Sequence, residues 1–138
     1  MRDIELARAS LEGHSIALCR DGELLTSDKR GIAPMTDFIA EGKDLRGYSA
    51  ADLVVGKAAA MLFVKAGIKE VYAQTLSAGG KEYLEAHGIT VTFSELTGHI
   101  MNRAGTGICP MEETVSGISA PEEGYAALAA KLALLRRK

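Results

Sequence analysis

With 138 residues, 47% of them hydrophobic, the chain has the size of one ordinary domain spanning residues 1–138, and folding should bury roughly two-thirds of its unfolded surface around a single core. Lys and Arg number 16 against 18 Asp and Glu, and the resulting net charge of −2 excludes the strong positive field that binding to a nucleic-acid polymer requires. No stretch approaches the roughly 18 consecutive apolar residues of a membrane span, and Arg2, Asp3 and Glu5 stand where a leader would be apolar, so a cytoplasmic protein without membrane contact is expected.

Ile4, Ala7 and Leu11 recur at helical spacing and predict a first helix over 3–11, ended by Gly13. Two short runs, 14–19 and 23–26, flank Arg20-Asp21-Gly22, and Asp-Gly is a favoured two-residue turn, so a β-hairpin follows. The stretch 29–47 carries Gly31, Pro34, Gly42 and Gly47 and reads as surface loops with room for a short helix over 35–40. Ser49 and Asp52 fit a capping box, and the nearly continuous apolar run 51–66 predicts a central helix packed on several faces. Beyond Gly67 the pattern alternates: a strand over 70–75, a helix over 78–86 ended by Gly88, and a strand over 89–93, an order that favours parallel pairing. Gly98, Gly105 and Gly107 then interrupt regular structure until Pro110, which suits the first turn of a short helix. A final helix is marked by Ser119, Pro121 and Glu122 at its start and by an apolar stripe of Tyr125, Leu128, Ala129, Leu132 and Leu135. The order predicts a mixed sheet, with an N-terminal hairpin, covered by flanking helices.

Two stretches carry more than composition: Asp52-Leu-Val-Val-Gly-Lys57-Ala-Ala-Ala60 and Asn102-Arg-Ala-Gly-Thr-Gly-Ile-Cys-Pro-Met-Glu112. With the Asp21-Gly22 hairpin and the Arg30-Gly31-Ile32-Ala33-Pro34 loop, they resemble an uncharacterised prokaryotic family known as a domain of unknown function. The resemblance spans nearly the whole chain and implies a single-domain, cytidine-deaminase-like α/β/α fold without implying an activity. Zinc deaminases place a His or Cys two residues before a Glu on the central helix, and Pro-Cys-x-x-Cys at the start of the next. The central run 51–66 has no His, Cys or Glu, and the next turn reads Leu76-Ser77-Ala78-Gly79-Gly80, so deamination by that mechanism is excluded.

The same reading predicts neither a metal nor a cofactor, since His14, His87 and His99 lack ligand spacing and Cys19 and Cys109 form no Cys-x-x-Cys pair. Both thiols are expected reduced, with Cys19 in the core and Cys109 before Pro110, where helix amides can activate a thiolate. Around Cys109, Arg103 would add positive potential, and Glu112 or Glu113 could serve as a base. The glycine-rich loop offers Asn102, Arg103 and Thr106 to a phosphate or carboxylate, or is a conformationally demanding loop whose Arg pairs internally. Lys57, the only charge between Asp52 and Lys65, either projects into a pocket with Asp52 as partner or lays its stem on apolar surface. Ser77 opens a helix after a strand, a position for anion binding or for an ordinary cap.

The leading expectation is a metal-free deaminase-like domain that binds a small anionic metabolite, a nucleotide or nucleoside derivative, through Asp52, Lys57, Ser77, Asn102, Arg103 and Thr106. The alternatives are an enzyme with Cys109 as nucleophile or redox thiol and Glu112 as base, and an interaction domain or homo-oligomer that uses the final helix as its contact surface.

Overall fold

The computed structural model describes residues 2–102 and 104–136. Helix α1 (Asp3–Ser10) leads into β1 (Ile16–Arg20) and β2 (Glu23–Ser27), followed by α2 (Ala33–Ala40), β3 (Ser49–Val55) and α3 (Lys57–Ala66). The second half runs β4 (Glu70–Ser77), α4 (Ala78–Ala86), β5 (Thr90–Thr97), the short α5 (Pro110–Val115) and α6 (Pro121–Arg136). The five strands form one sheet in the order β2-β1-β3-β4-β5. β1 pairs antiparallel with β2 and β3, whereas β3, β4 and β5 run parallel.

The hairpin turns where the sequence places it. Asp21 and Gly22 both hold positive φ, 51° and 82°, which matches the right-handed twist of the paired strands. The carboxylate of Asp3 accepts from the Asp21 amide at 3.0 Å and the Gly22 amide at 3.4 Å, tying α1 to that turn. The Asp21 amide is the chief reason the Asp3 carboxyl lies below its ordinary range.

The expected central helix over 51–66 is corrected to a strand, a glycine and a shorter helix. Val54 and Val55 continue β3, Gly56 is extended at φ −109°, ψ −169°, and α3 begins only at Lys57. The physical reason is that β3 is the middle strand of a sheet covered on both faces, so its sequence is as unbroken in hydrophobicity as a buried helix. Ser49 and Asp52 therefore form no capping box. Ser49 is buried in the strand without a partner for its hydroxyl among the described residues, and Asp52 sits in the sheet opposite Ile16 on one side and Ala73 on the other.

Alternation along the strands divides the interior in two. On one face Ile4 and Ala7 of α1, with Leu11 just past its end, cover Cys19, Ala51 and Tyr72. On the other, Ile16, Leu18, Ala50, Val71 and Ala73 meet Met61, Leu62 and Phe63 of α3, Leu84 of α4 and Leu128 of α6. Tyr125 and Leu132, partly buried, also pack against this larger core, while Leu135 of the same stripe stays exposed. Among the described residues no helix is long and apolar enough to cross a membrane.

Candidate functional site

Where β3 meets the segment leading into α5, the packing leaves a cavity of about 740 Å3. β3 contributes Asp52, Leu53 and Val54; the loops around β1 and β2 contribute Ser15, Arg30 and Ile32. Met101, Asn102 and Cys109 come from the segment entering α5, Pro110 and Met111 from α5 itself, and Leu132 and Leu135 from α6. Apolar surface with a few convergent polar groups is the usual composition of a small-molecule site.

Asp52 is the central polar group. Its carboxyl is buried, and burial pushes its pKa up to about 8 against the opposing pull of the Leu53 and Val54 amides. No cationic side chain among the described residues relieves it. At neutral pH it is therefore mostly a carboxylic acid, able both to donate and to accept a hydrogen bond.

Asn102 closes its own loop. Its side chain donates to Thr106 Oγ1 at 3.2 Å and accepts from the Thr106 amide at 3.1 Å, while its backbone N–H donates to Gly107. Met101 and Ile108 bridge just outside, so the 101–108 segment folds back on itself and presents Asn102 to the cavity. Thr106 serves this closure and is exposed; Arg103 lies outside the described residues. Cys109 precedes α5, half-buried, with its amide on the Ile100 carbonyl and its side chain on the cavity wall. Cys19 is fully buried, and burial raises its thiol above the ordinary range.

The other expected site residues lie elsewhere. Lys57 does not pair with Asp52: its Nζ donates to the carbonyls of Val115 at 2.9 Å and Ser116 at 3.5 Å, at the end of α5. Glu112 does not stand ready as a base for Cys109, because its two carboxylate oxygens accept the amides of Lys57 and Ala58, each at 2.9 Å. It caps α3 from 55 residues away, answering the positive end of that helix. Ser77 is buried and accepts from the Gly80 amide at 2.9 Å, an ordinary cap of α4.

These two helix starts are where the resemblance would require zinc ligands. A side-chain carbon at Gly56 would lie 2.3 Å from Glu112 Oε1, and one at Gly80 would lie 3.0 Å from the Val55 carbonyl oxygen. Backbone and carboxylate fill the space that ligand side chains would need, and no three His, Cys, Asp or Glu side chains gather among the described residues. The donor set does not fit zinc.

Sequence reasoning missed Arg30, Ile32 and the exposed pair Leu53 and Val54 as cavity residues. The available signal was the Arg30–Pro34 loop, one of the stretches behind the family resemblance, together with the β-branched pair before Gly56.

Comparison with solved structures finds a DUF1893 family protein from Thermotoga maritima, 22% identical, covering 88% of this chain and 83% of that one with a TM-score of 0.80. It also finds a dCMP deaminase from the cyanophage S-TIM5, 15% identical, covering 70% of this chain and 100% of that one with a TM-score of 0.50. At these identities the likeness is one of fold, and the fold is deaminase-like. Among curated proteins none matches the sequence. The model of the TM1506 family, domain of unknown function DUF1893, matches residues 8–132, and the chain belongs to that family.

Proposed function

We propose that this domain binds a small anionic metabolite, a nucleotide or nucleoside derivative, in the cavity beside Asp52. The observation that carries this reading is a buried carboxyl facing a cavity of about 740 Å3, a size suited to a compact ligand. A buried carboxyl without a charged partner is costly to the fold, and such groups concentrate at functional sites. Arg30, exposed on the same cavity, supplies a cation for a phosphate or carboxylate, and Asn102 adds an amide. The fold shared with a phage dCMP deaminase supports the nucleotide class.

Thermal unfolding against nucleosides, nucleotides and sugar phosphates tests the reading, since a ligand at 100 times its Kd stabilises the native state by about 2.7 kcal/mol. Leu135 is 41% exposed on the cavity wall, so Leu135→Trp should fill the cavity, leave cooperative unfolding intact and abolish the ligand-induced shift. A shift unchanged in that variant would place the ligand elsewhere, and no shift from any compound at saturation would refute the reading.

One observation favours a second reading, in which Cys109 is a nucleophile or redox thiol: its side chain and Asp52 line the same cavity. The cavity ligand should then slow iodoacetamide alkylation of Cys109 at least about tenfold. Alkylation at the same rate with and without ligand would separate the thiol from the site.

A further inference from the structure

Asp52 is the one acidic or basic side chain that the fold buries among the described residues, and it faces a cavity. Its surroundings decide what it can recognise. Among the described residues, α5 and α6 present only Pro110, Met111, Leu132 and Leu135 to that cavity, and the flanking strands set Ile16 and Ala73 beside Asp52. The hydroxyl of Ser15 is already given to the carbonyls of Ser27 and Lys29. Among the described residues, the ionisable groups that share the cavity with Asp52 are Arg30, which is exposed, and the Cys109 thiol. An anion at Asp52 would therefore stand largely uncompensated among apolar groups.

We infer that Asp52 reads the edge of a neutral nitrogen heterocycle as a carboxylic acid, its hydroxyl donating to a ring acceptor while its carbonyl accepts from the neighbouring N–H. This rests on the cavity being the ligand site proposed above. A neutral carboxyl offers one donor and one acceptor side by side, and its complement is an adjacent acceptor and donor, as on an aminopyrimidine or a cyclic lactam. An amidinium or ammonium would need the ionised carboxylate and would carry a second charge into the same apolar wall. Retention of the proton on burial, up to about pH 8, agrees with this assignment. It also leaves an anionic group elsewhere on the ligand free of repulsion from Asp52.

Calorimetric titration of the whole chain with cytidine, uridine and the cation benzamidine at pH 6, 7, 8 and 9 tests the inference. Nucleoside affinity should be level from pH 6 to 7 and fall about tenfold by pH 9, following the protonated fraction of Asp52. Asp52→Asn keeps a donor and an acceptor in the same shape. It should bind within about threefold of the unmodified protein at pH 7 and show no fall at pH 9, whereas Asp52→Leu should lose at least about tenfold. Benzamidine binding tighter than either nucleoside and strengthening above pH 8 would overturn the inference while leaving the cavity as a ligand site. Absence of binding by all three probes, in the unmodified protein and in Asp52→Asn, would overturn the cavity reading as well.

Discussion

Asp52→Asn should make the protein more stable at pH 7, by about 4 kcal/mol, and should flatten its stability profile between about pH 4 and pH 8. In the unfolded chain this carboxyl ionises near its ordinary value of about 4, whereas the fold retains the proton to about pH 8. Between these values the unfolded state has released a proton that the native state still holds. Stability therefore falls as pH rises through the window, by up to about 1.4 kcal/mol per unit, and levels off once the native carboxyl ionises. Below about pH 4 both states are protonated and the difference disappears. The asparagine amide occupies nearly the same volume and carries no charge at any of these pH values. Urea unfolding of both proteins at pH 4, 6 and 8 checks this, because their difference removes every other titrating group. A constant difference across that range would mean that Asp52 ionises normally in the native state. Together with the binding titrations, a gain in stability would mark Asp52 as a residue whose burial the fold tolerates rather than needs.

Glu112→Ala should destabilise the protein by about 2 kcal/mol, and Gly56→Ala should do nearly the same for the same reason. The Glu112 carboxylate satisfies the first two amides of α3 and holds α5 against that helix. Gly56 leaves room for it, since a methyl there would fall 2.3 Å from one carboxylate oxygen and 2.8 Å from the other. The backbone at Gly56 is extended at φ −109°, so alanine brings no conformational strain of its own. With the carboxylate already removed, adding the methyl should change stability by less than about 0.5 kcal/mol. The double-mutant cycle, measured by urea unfolding, should accordingly show strong non-additivity. Two full and additive losses would show that Gly56 is required for something other than Glu112.

Features that depend on near neighbours were legible. The Asp21-Gly22 turn and the start of α5 at Pro110 follow from the chemistry of a few consecutive residues, and the structure places both as expected; for Ser77 the same local chemistry left a cap and an anion site both open, and the cap is what forms. β3 was not legible because its signal is degenerate: a strand between two layers and a buried helix both read as unbroken apolar sequence, and only Val54, Val55 and Gly56 argued for the strand. That single misreading moved Asp52 from the heart of the sheet to a helix cap and paired it with a lysine that it does not meet. The destinations of Lys57 and Glu112 could not be read at all, because their contacts join segments more than 50 residues apart. Cys109 and Asn102 were legible as residues of interest. Their meeting with Asp52 in one cavity belongs to the tertiary packing of β3, α6 and the loop before α5.

The position of β5 bears on the protein's colloidal behaviour. It is an eight-residue strand at the edge of the sheet, pairing with β4 on one side only. It contains no lysine or proline, and Phe93 and Leu96 stand 39% and 49% exposed. Edges of this kind are ready to zip onto a like edge, and natural sheets commonly guard them with charge, proline or a covering segment. Glu95 is the one charge on this strand, and a net charge of −2 gives only weak repulsion between copies. The rim opposite the hairpin is thus where crowding, acidification or incomplete refolding would first bring copies of the chain together.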